Sequence, residues 1–255
     1  MKKAIKKFPI IRSWVRKLNN LNERTDWVSQ QLQNIPRGSV LLDAGCGSQY
    51  FRTFCNHLDY KGQDFGQYVS DEKKMIGGEN GGLGSENGYK YGELDYSGDI
   101  WDIREADNSF DAILCTEVFE HIPFPNETVK EFSRLLKPGG TLILTAPNAC
   151  LRHMDPYFFY SGFSDRWFDK FLTDNGFEVQ EISPVGDYYS WLGVEVARTG
   201  MTHSIIAKVM LLPAFIYFFS KKKTKVSVDT LCMGYHILAR KREENETRDT
   251  MPALK

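Results

Sequence analysis

Val40-Leu41-Leu42-Asp43-Ala44-Gly45-Cys46-Gly47 decides the reading of this chain. Val40 to Leu42 is a short apolar run of the kind that becomes a buried strand. The glycines that follow let the backbone turn sharply and approach a ligand with no Cβ in the way. A strand running into a glycine turn opens many nucleotide-binding α/β units. The acid before the turn narrows the choice. Asp43 suits a cofactor carrying an ammonium group better than one carrying a pyrophosphate. Where a dinucleotide turn would want its third glycine, this sequence has Tyr50.

Outward from this stretch, strand-like and helix-like segments alternate. Before it, Thr25 to Gln33 patterns as a helix, ended by Ile35-Pro36-Arg37-Gly38. After it, Tyr60 to Phe65 and Phe110 to Thr116 read as strands. Thr128 to Leu136 reads as an amphipathic helix stopped by Lys137-Pro138-Gly139-Gly140. Thr141 to Thr145 is a strand, Asp165 to Asn175 a helix capped by Gly176, and Phe177 to Ile182 a strand. Cys232 to Ala239 reads as the last one. This order predicts a Rossmann-like, doubly wound seven-stranded sheet with helices on both faces. Residues 38–240 form that domain, after a basic helical region over 1–37 and before a charged tail over 241–255. Gly77 to Gly92 is a Gly/Asn/Ser/Glu-rich loop without the Gly-Lys-Ser/Thr ending of a phosphate cradle.

Composition bounds the rest. At 255 residues, 42% hydrophobic and 25% charged, the chain has the balance of a soluble globular protein with one substantial core. A net charge of −1 gives no overall attraction to nucleic acid, and no nucleic-acid partner is expected. Five cysteines, an odd number, show neither a C-x-x-C pair nor metal-ligand spacing, so a reduced cytoplasmic setting and no metal are expected. Met1 to Leu18 interleaves lysines and arginines with single apolar residues and lacks a signal-peptide core.

With these residues in place, the chain resembles the class I S-adenosylmethionine-dependent methyltransferases, in particular the broad type-11 family. Val40 to Gly47 matches the family's first motif. Asp64 in Gly62-Gln63-Asp64 stands where the family has its ribose-binding acid, and Asp99-Ile100 resembles its adenine-contacting pair. Asn108 to Leu114 resembles the fourth strand, Glu117 to His121 the segment after it, and Leu135 to Gly140 the Leu-Leu-Lys-Pro-Gly-Gly turn. The resemblance covers residues 38–182. It implies S-adenosylmethionine as cofactor, with Asp43, Gly45, Cys46, Gly47, Asp64, Asp99, Ile100 and Thr116 as its binding set. The implied chemistry is in-line displacement of the sulfonium methyl by an acceptor nucleophile, aided mainly by positioning and desolvation.

A hydroxyl acceptor also needs a base. His121, after the fourth strand, and His153, ahead of the aromatic run Tyr157 to Tyr160, are the candidates, since histidine titrates nearest neutrality. Cys115-Thr116-Glu117-Val118 replaces the Asn/Asp-Pro-Pro-Tyr/Phe that accompanies amide or base-nitrogen methylation, and there is no Pro-Cys nucleophile. A small-molecule, glycan or lipid acceptor, methylated at oxygen, is what remains. Two alternatives stay open: a nicotinamide-dependent oxidoreductase, and a non-catalytic domain that keeps the cofactor pocket.

Between the sixth and seventh strands, Val209 to Phe219 is almost wholly apolar, interrupted by Pro213 and followed by Lys221, Lys222, Lys223 and Lys225. Eleven residues are too few to span a bilayer, which takes about 20. An apolar helical insertion near the C-terminus is expected, resting on an anionic membrane, covering the sheet or meeting a second copy.

Overall fold

The computed structural model describes residues 20–68, 91–202 and 204–243. The basic segment Met1 to Leu18, most of the Gly77 to Gly92 loop and nearly all of the charged tail lie outside them. Seven strands form one sheet: β1 Val40–Ala44, β2 Asp59–Asp64, β3 Tyr96–Ser97, β4 Phe110–Thr116, β5 Leu136–Pro147, β6 Phe177–Val185 and β7 Gly234–Lys241. Their order across the sheet is β3-β2-β1-β4-β5-β7-β6. The first five are parallel, and β7 runs antiparallel between β5 and β6.

Side chains alternate across a strand, so the central strands feed two cores. Leu41, Ala112, Leu114 and Ile143 face one side, where Val28 and Leu32 of helix α1 (Leu21–Gln33) cover them. Leu42, Ala44, Ile113, Cys115, Leu142 and Leu144 face the other. There Val129, Phe132 and Leu135 of α2 (Pro125–Leu135) and Phe168 and Leu172 of α3 (Asp165–Asp174) meet them. Both helices present apolar residues three or four apart, the spacing of one helical face. Pro125 starts α2, where its missing N–H costs nothing, and Ser164 caps α3 by accepting the Trp167 N–H. The predicted sheet with helices on both faces is therefore present. The helix over 21–33 shares this core, and its Trp27 stacks on His236 of β7 at 4.8 Å.

Two local features differ from the sequence reading. Lys137-Pro138-Gly139-Gly140 ends α2 but does not break the chain's path, because β5 already begins at Leu136. Leu136 pairs with Phe110, and the register shifts before Ala112, so the Pro-Gly-Gly segment is absorbed as an irregularity in the strand. Between β6 and β7 there are three helices: α4 Tyr188–Thr202, α5 Ile205–Ser220 and α6 Lys225–Thr230. Only α5 was legible beforehand. Gly193 of α4 sits under the Phe219 ring of α5, where a Cβ would lie 2.2 Å from a ring carbon. Buried Asp187 ties this group together, accepting bonds from Ser190 (N–H 2.9 Å, O–H 2.6 Å) and from the Ser227 hydroxyl at 2.7 Å. Among the described residues, no helix is long and apolar enough to cross a membrane.

Candidate functional site

The sheet order reverses between β1 and β4, and ligands of open α/β sheets bind beyond the strand ends at such a point. A cleft of about 900 Å³ opens there. Every residue of the expected cofactor set lines it except Gly47. Gly47 stands behind the wall and donates its N–H to Asp64 Oδ2 at 2.9 Å.

At the end of β1, Gly45 has φ +74°, and a Cβ there would meet Val118 Cγ2 at 2.5 Å. Only glycine holds this turn. Its N–H reaches the Gln63 carbonyl at 2.9 Å, which ties the turn to β2. Asp43 is 2% exposed and accepts the Tyr60 hydroxyl at 2.6 Å. Burial pushes its carboxyl up to about 7, against the Tyr60 bond, with the Asp64 charge adding to the rise. Asp64 closes β2, and its Oδ1 takes the Gly66 N–H at 3.1 Å. Burial raises its carboxyl too, opposed by those backbone donors.

These residues fit S-adenosylmethionine. A buried carboxylate wants a cation, the glycine turn leaves room for a ligand, and Asp64 has lone pairs beyond its bonds to backbone donors. Ile100 is 4% exposed on the cleft wall, and the exposed Asp99 precedes it. Asp95, four positions before Asp99, accepts the Gly62 N–H through Oδ2 at 2.8 Å.

The opposite side of the cleft follows β4. Glu117 holds φ +54°, pairs with Arg24 of α1 at 2.8 Å and accepts the Thr145 hydroxyl at 2.9 Å. A short 3₁₀ turn, Phe119–His121, comes next. His121 Nδ1 lies 2.6 Å from the Tyr157 carbonyl, which can only accept, so Nδ1 carries the proton. Burial, with His153 adding, pushes His121 down to about 4, leaving the ring neutral at ordinary pH. Glu120, 2% exposed, is pushed upward by burial and then by the Glu117 charge. The His121 and His153 rings meet edge-on, with centroids 4.6 Å apart. The two predicted histidines are thus brought together, although 32 positions separate them (153 − 121).

Sequence reasoning missed several residues of this cleft. Arg24 lies on a helix read as outside the domain, and Glu117 was read only as the start of the segment after the fourth strand. Trp191, Val194, Glu195 and Arg198 reach the cleft from α4. No periodic pattern announced that helix.

A family model described as "Methyltransferase domain" matches residues 14–182, about two thirds of the chain. A ubiquinone biosynthesis O-methyltransferase from Xanthomonas oryzae pv. oryzae is 48% identical over 44 residues, 17% of this chain and 18% of that protein. One from Xanthomonas axonopodis pv. citri is 30% identical over 129 residues, 49% of each chain. The chain thus spans half or less of the length of the curated relatives it matches. A crystal structure assigned as a sarcosine dimethylglycine methyltransferase from Galdieria sulphuraria shares the fold, with TM-score 0.53, 16% identity and 86% of each chain covered. The nicotinamide alternative finds no support among these matches. The chain belongs to the methyltransferase-domain family, the class I S-adenosylmethionine-dependent methyltransferases, and S-adenosylmethionine is its cofactor.

Proposed function

We propose that this protein methylates a hydroxyl oxygen of a small apolar acceptor, which it meets at an anionic membrane surface. The carrying observation is the α4–α5 pair. Trp191 and Val194 of α4 line the cleft, while α5, packed on α4 through Gly193 and Phe219, turns apolar side chains outward. One helix pair therefore links the cleft to an exposed apolar face.

Bound S-adenosylmethionine supplies a methyl group already activated by its sulfonium. In this reading Asp43 takes the ammonium, Asp64 the ribose hydroxyls, and Asp99 and Ile100 the adenine edge and face. Gly45 and Cys46 let the backbone approach, Gly47 holds Asp64 from behind, and Thr116 borders the methionine portion. His121 and His153 face the acceptor. Neutral His121 keeps Nε2 open to accept the hydroxyl proton, but a base near 4 pulls weakly. Orientation and exclusion of water therefore supply most of the acceleration. The oxygen assignment is supported by the names of the curated relatives, which are O-methyltransferases.

For the membrane, Ile205, Ile206, Val209 and Met210 are 65–74% exposed on α5, and Tyr217 follows at 52%. Lys208 is exposed on the same helix, and Lys222, Lys223 and Lys225 are exposed just after its end. Each lysine near an anionic surface contributes about 1 kcal/mol, and each inserted aliphatic side chain roughly 1.5–3 kcal/mol. The double variant Ile206→Glu/Met210→Glu should therefore bind phosphatidylglycerol vesicles at least roughly tenfold more weakly in flotation. Equal flotation of variant and wild type would remove the membrane reading. The reaction itself is tested by following labelled methyl from S-adenosylmethionine into paired phenol and aniline acceptors. Label in the phenol is expected, and label in the aniline alone would overturn the oxygen assignment.

A further inference from the structure

Three side chains of metal-ligand type converge on one side of the cleft. Glu120 and His121 sit on the turn after β4, and His153 on the loop after β5. One ligand atom from each lies within 4.8 Å of the others. Both imidazoles are held alike: His121 Nδ1 donates to the Tyr157 carbonyl at 2.6 Å, and His153 Nδ1 to the Leu151 carbonyl at 2.8 Å. A ring whose Nδ1–H is spent on a backbone carbonyl keeps a free lone pair on Nε2. Metal-ligating histidines are oriented in the same way. Glu120 Oε1 lies 3.6 Å from His121 Nε2, while Glu120 Oε2 is buried with no hydrogen-bond partner. A buried carboxylate oxygen left unpaired calls for a counterpart, and Glu120 lines the cleft.

We propose that Glu120, His121 and His153 bind one divalent transition-metal ion of the zinc type, with an open position toward the acceptor. Two imidazoles and one carboxylate form a donor set for such ions, and three protein ligands leave a fourth position free. Bonds of about 2.0–2.2 Å in a tetrahedron place ligand atoms roughly 3.4 Å apart. Binding would draw the ligand atoms, now within 4.8 Å of one another, in to that value. This inference rests on the oxygen-acceptor reading for its purpose. With both Nε2 lone pairs on the ion, neither imidazole acts as a base, and the cation would take over that task by drawing the acceptor oxygen and promoting release of its proton to water. The oxygen then forms its bond to the methyl carbon while the carbon–sulfur pair returns to sulfur, leaving a neutral thioether.

The test is calorimetric titration of chelator-stripped full-length protein with Zn²⁺, and separately with Mg²⁺, without cofactor or acceptor. One tight Zn²⁺ per chain and no comparable Mg²⁺ binding are expected. His153→Ala and Glu120→Gln should each weaken Zn²⁺ by at least about 100-fold, since even outer-shell changes cost 10- to 100-fold. Cys150→Ser, removing the thiol on the cleft wall, should leave binding unchanged. Circular dichroism and S-adenosylmethionine affinity check that the variants fold. Absence of Zn²⁺ binding, or binding unaffected by His153→Ala in a folded protein, would overturn the site. Methyl transfer to the phenol by stripped protein, undiminished and not raised by Zn²⁺, would overturn the metal's purpose while upholding oxygen methylation. Zn²⁺ binding lost as expected in the variants, with label entering only the aniline, would uphold the site and sink the oxygen reading.

Discussion

Asp43→Ala is expected to weaken S-adenosylmethionine binding by about 3 kcal/mol, roughly 150-fold, when measured by calorimetry at pH 8. The carboxylate is buried beside the Tyr60 hydroxyl at the end of β1, so an ammonium placed there gains an ion pair shielded from water. The wild-type affinity should also depend on pH, and the sign follows from the raised Asp43 value of about 7. Without ligand, Asp43 holds a proton below that pH. An ammonium stabilises the charged form, so binding there must expel the proton. Affinity should therefore fall by nearly tenfold per unit as pH drops well below 7, and level off above it. Stability of the ligand-free protein runs the other way. A carboxyl whose folded value is raised penalises the fold as pH climbs from about 4 toward 7. Cofactor should thus raise the melting temperature more at pH 8 than at pH 6. Asp43→Asn should flatten both profiles. A steep profile surviving in Asp43→Asn would assign the linkage to another group.

Phe119→Ala carries the largest expected loss of stability, about 3–5 kcal/mol by denaturant titration. Phe119 is fully buried, and its ring centroid lies 5.9–6.3 Å from those of Phe132, Phe163, Trp167 and Phe168. Those rings come from α2, from α3 and from the approach to α3, so one side chain joins three parts of the core. The next two residues are Glu120 and His121. Loss of the ring should loosen the turn that aims them, lowering methyl transfer in protein that still folds at low temperature. Phe119→Leu keeps most of the volume and should cost less than about 1.5 kcal/mol. A loss below that figure for the alanine variant would show that the cluster closes over the gap.

The reach of sequence reasoning follows the range of the interactions. β1 and β4 were legible because an apolar run flanked by turn residues reports burial locally, and Phe110 to Thr116 was read with its observed limits. Asp43 and Asp64 could be placed because they stand at the ends of β1 and β2, and the structure brings both to the cleft wall together with Ile100. The Arg24–Glu117 pair was not, since it joins α1 to the end of β4 and neither residue has an unusual neighbourhood in sequence. α4 stayed hidden because one side lines the cleft and another packs on the apolar α5, which blurs any amphipathic period. The start of β5 was missed because Pro and Gly usually break elements, and here the partner strand adjusts its register instead.

β7 is made after β6 yet lies between β5 and β6 in the sheet, and among the described residues β6 has no other strand neighbour. This order has a consequence during synthesis. As β6 leaves the ribosome it has nothing to pair with, and it must wait while α4, α5 and α6 are translated. Only when β7 emerges can it slot beside β5 and offer β6 an edge, so the right half of the sheet closes in one late event. The waiting interval is the stretch in which the apolar α5 is exposed on an unfinished chain, and there a chaperone or a membrane surface would engage it first.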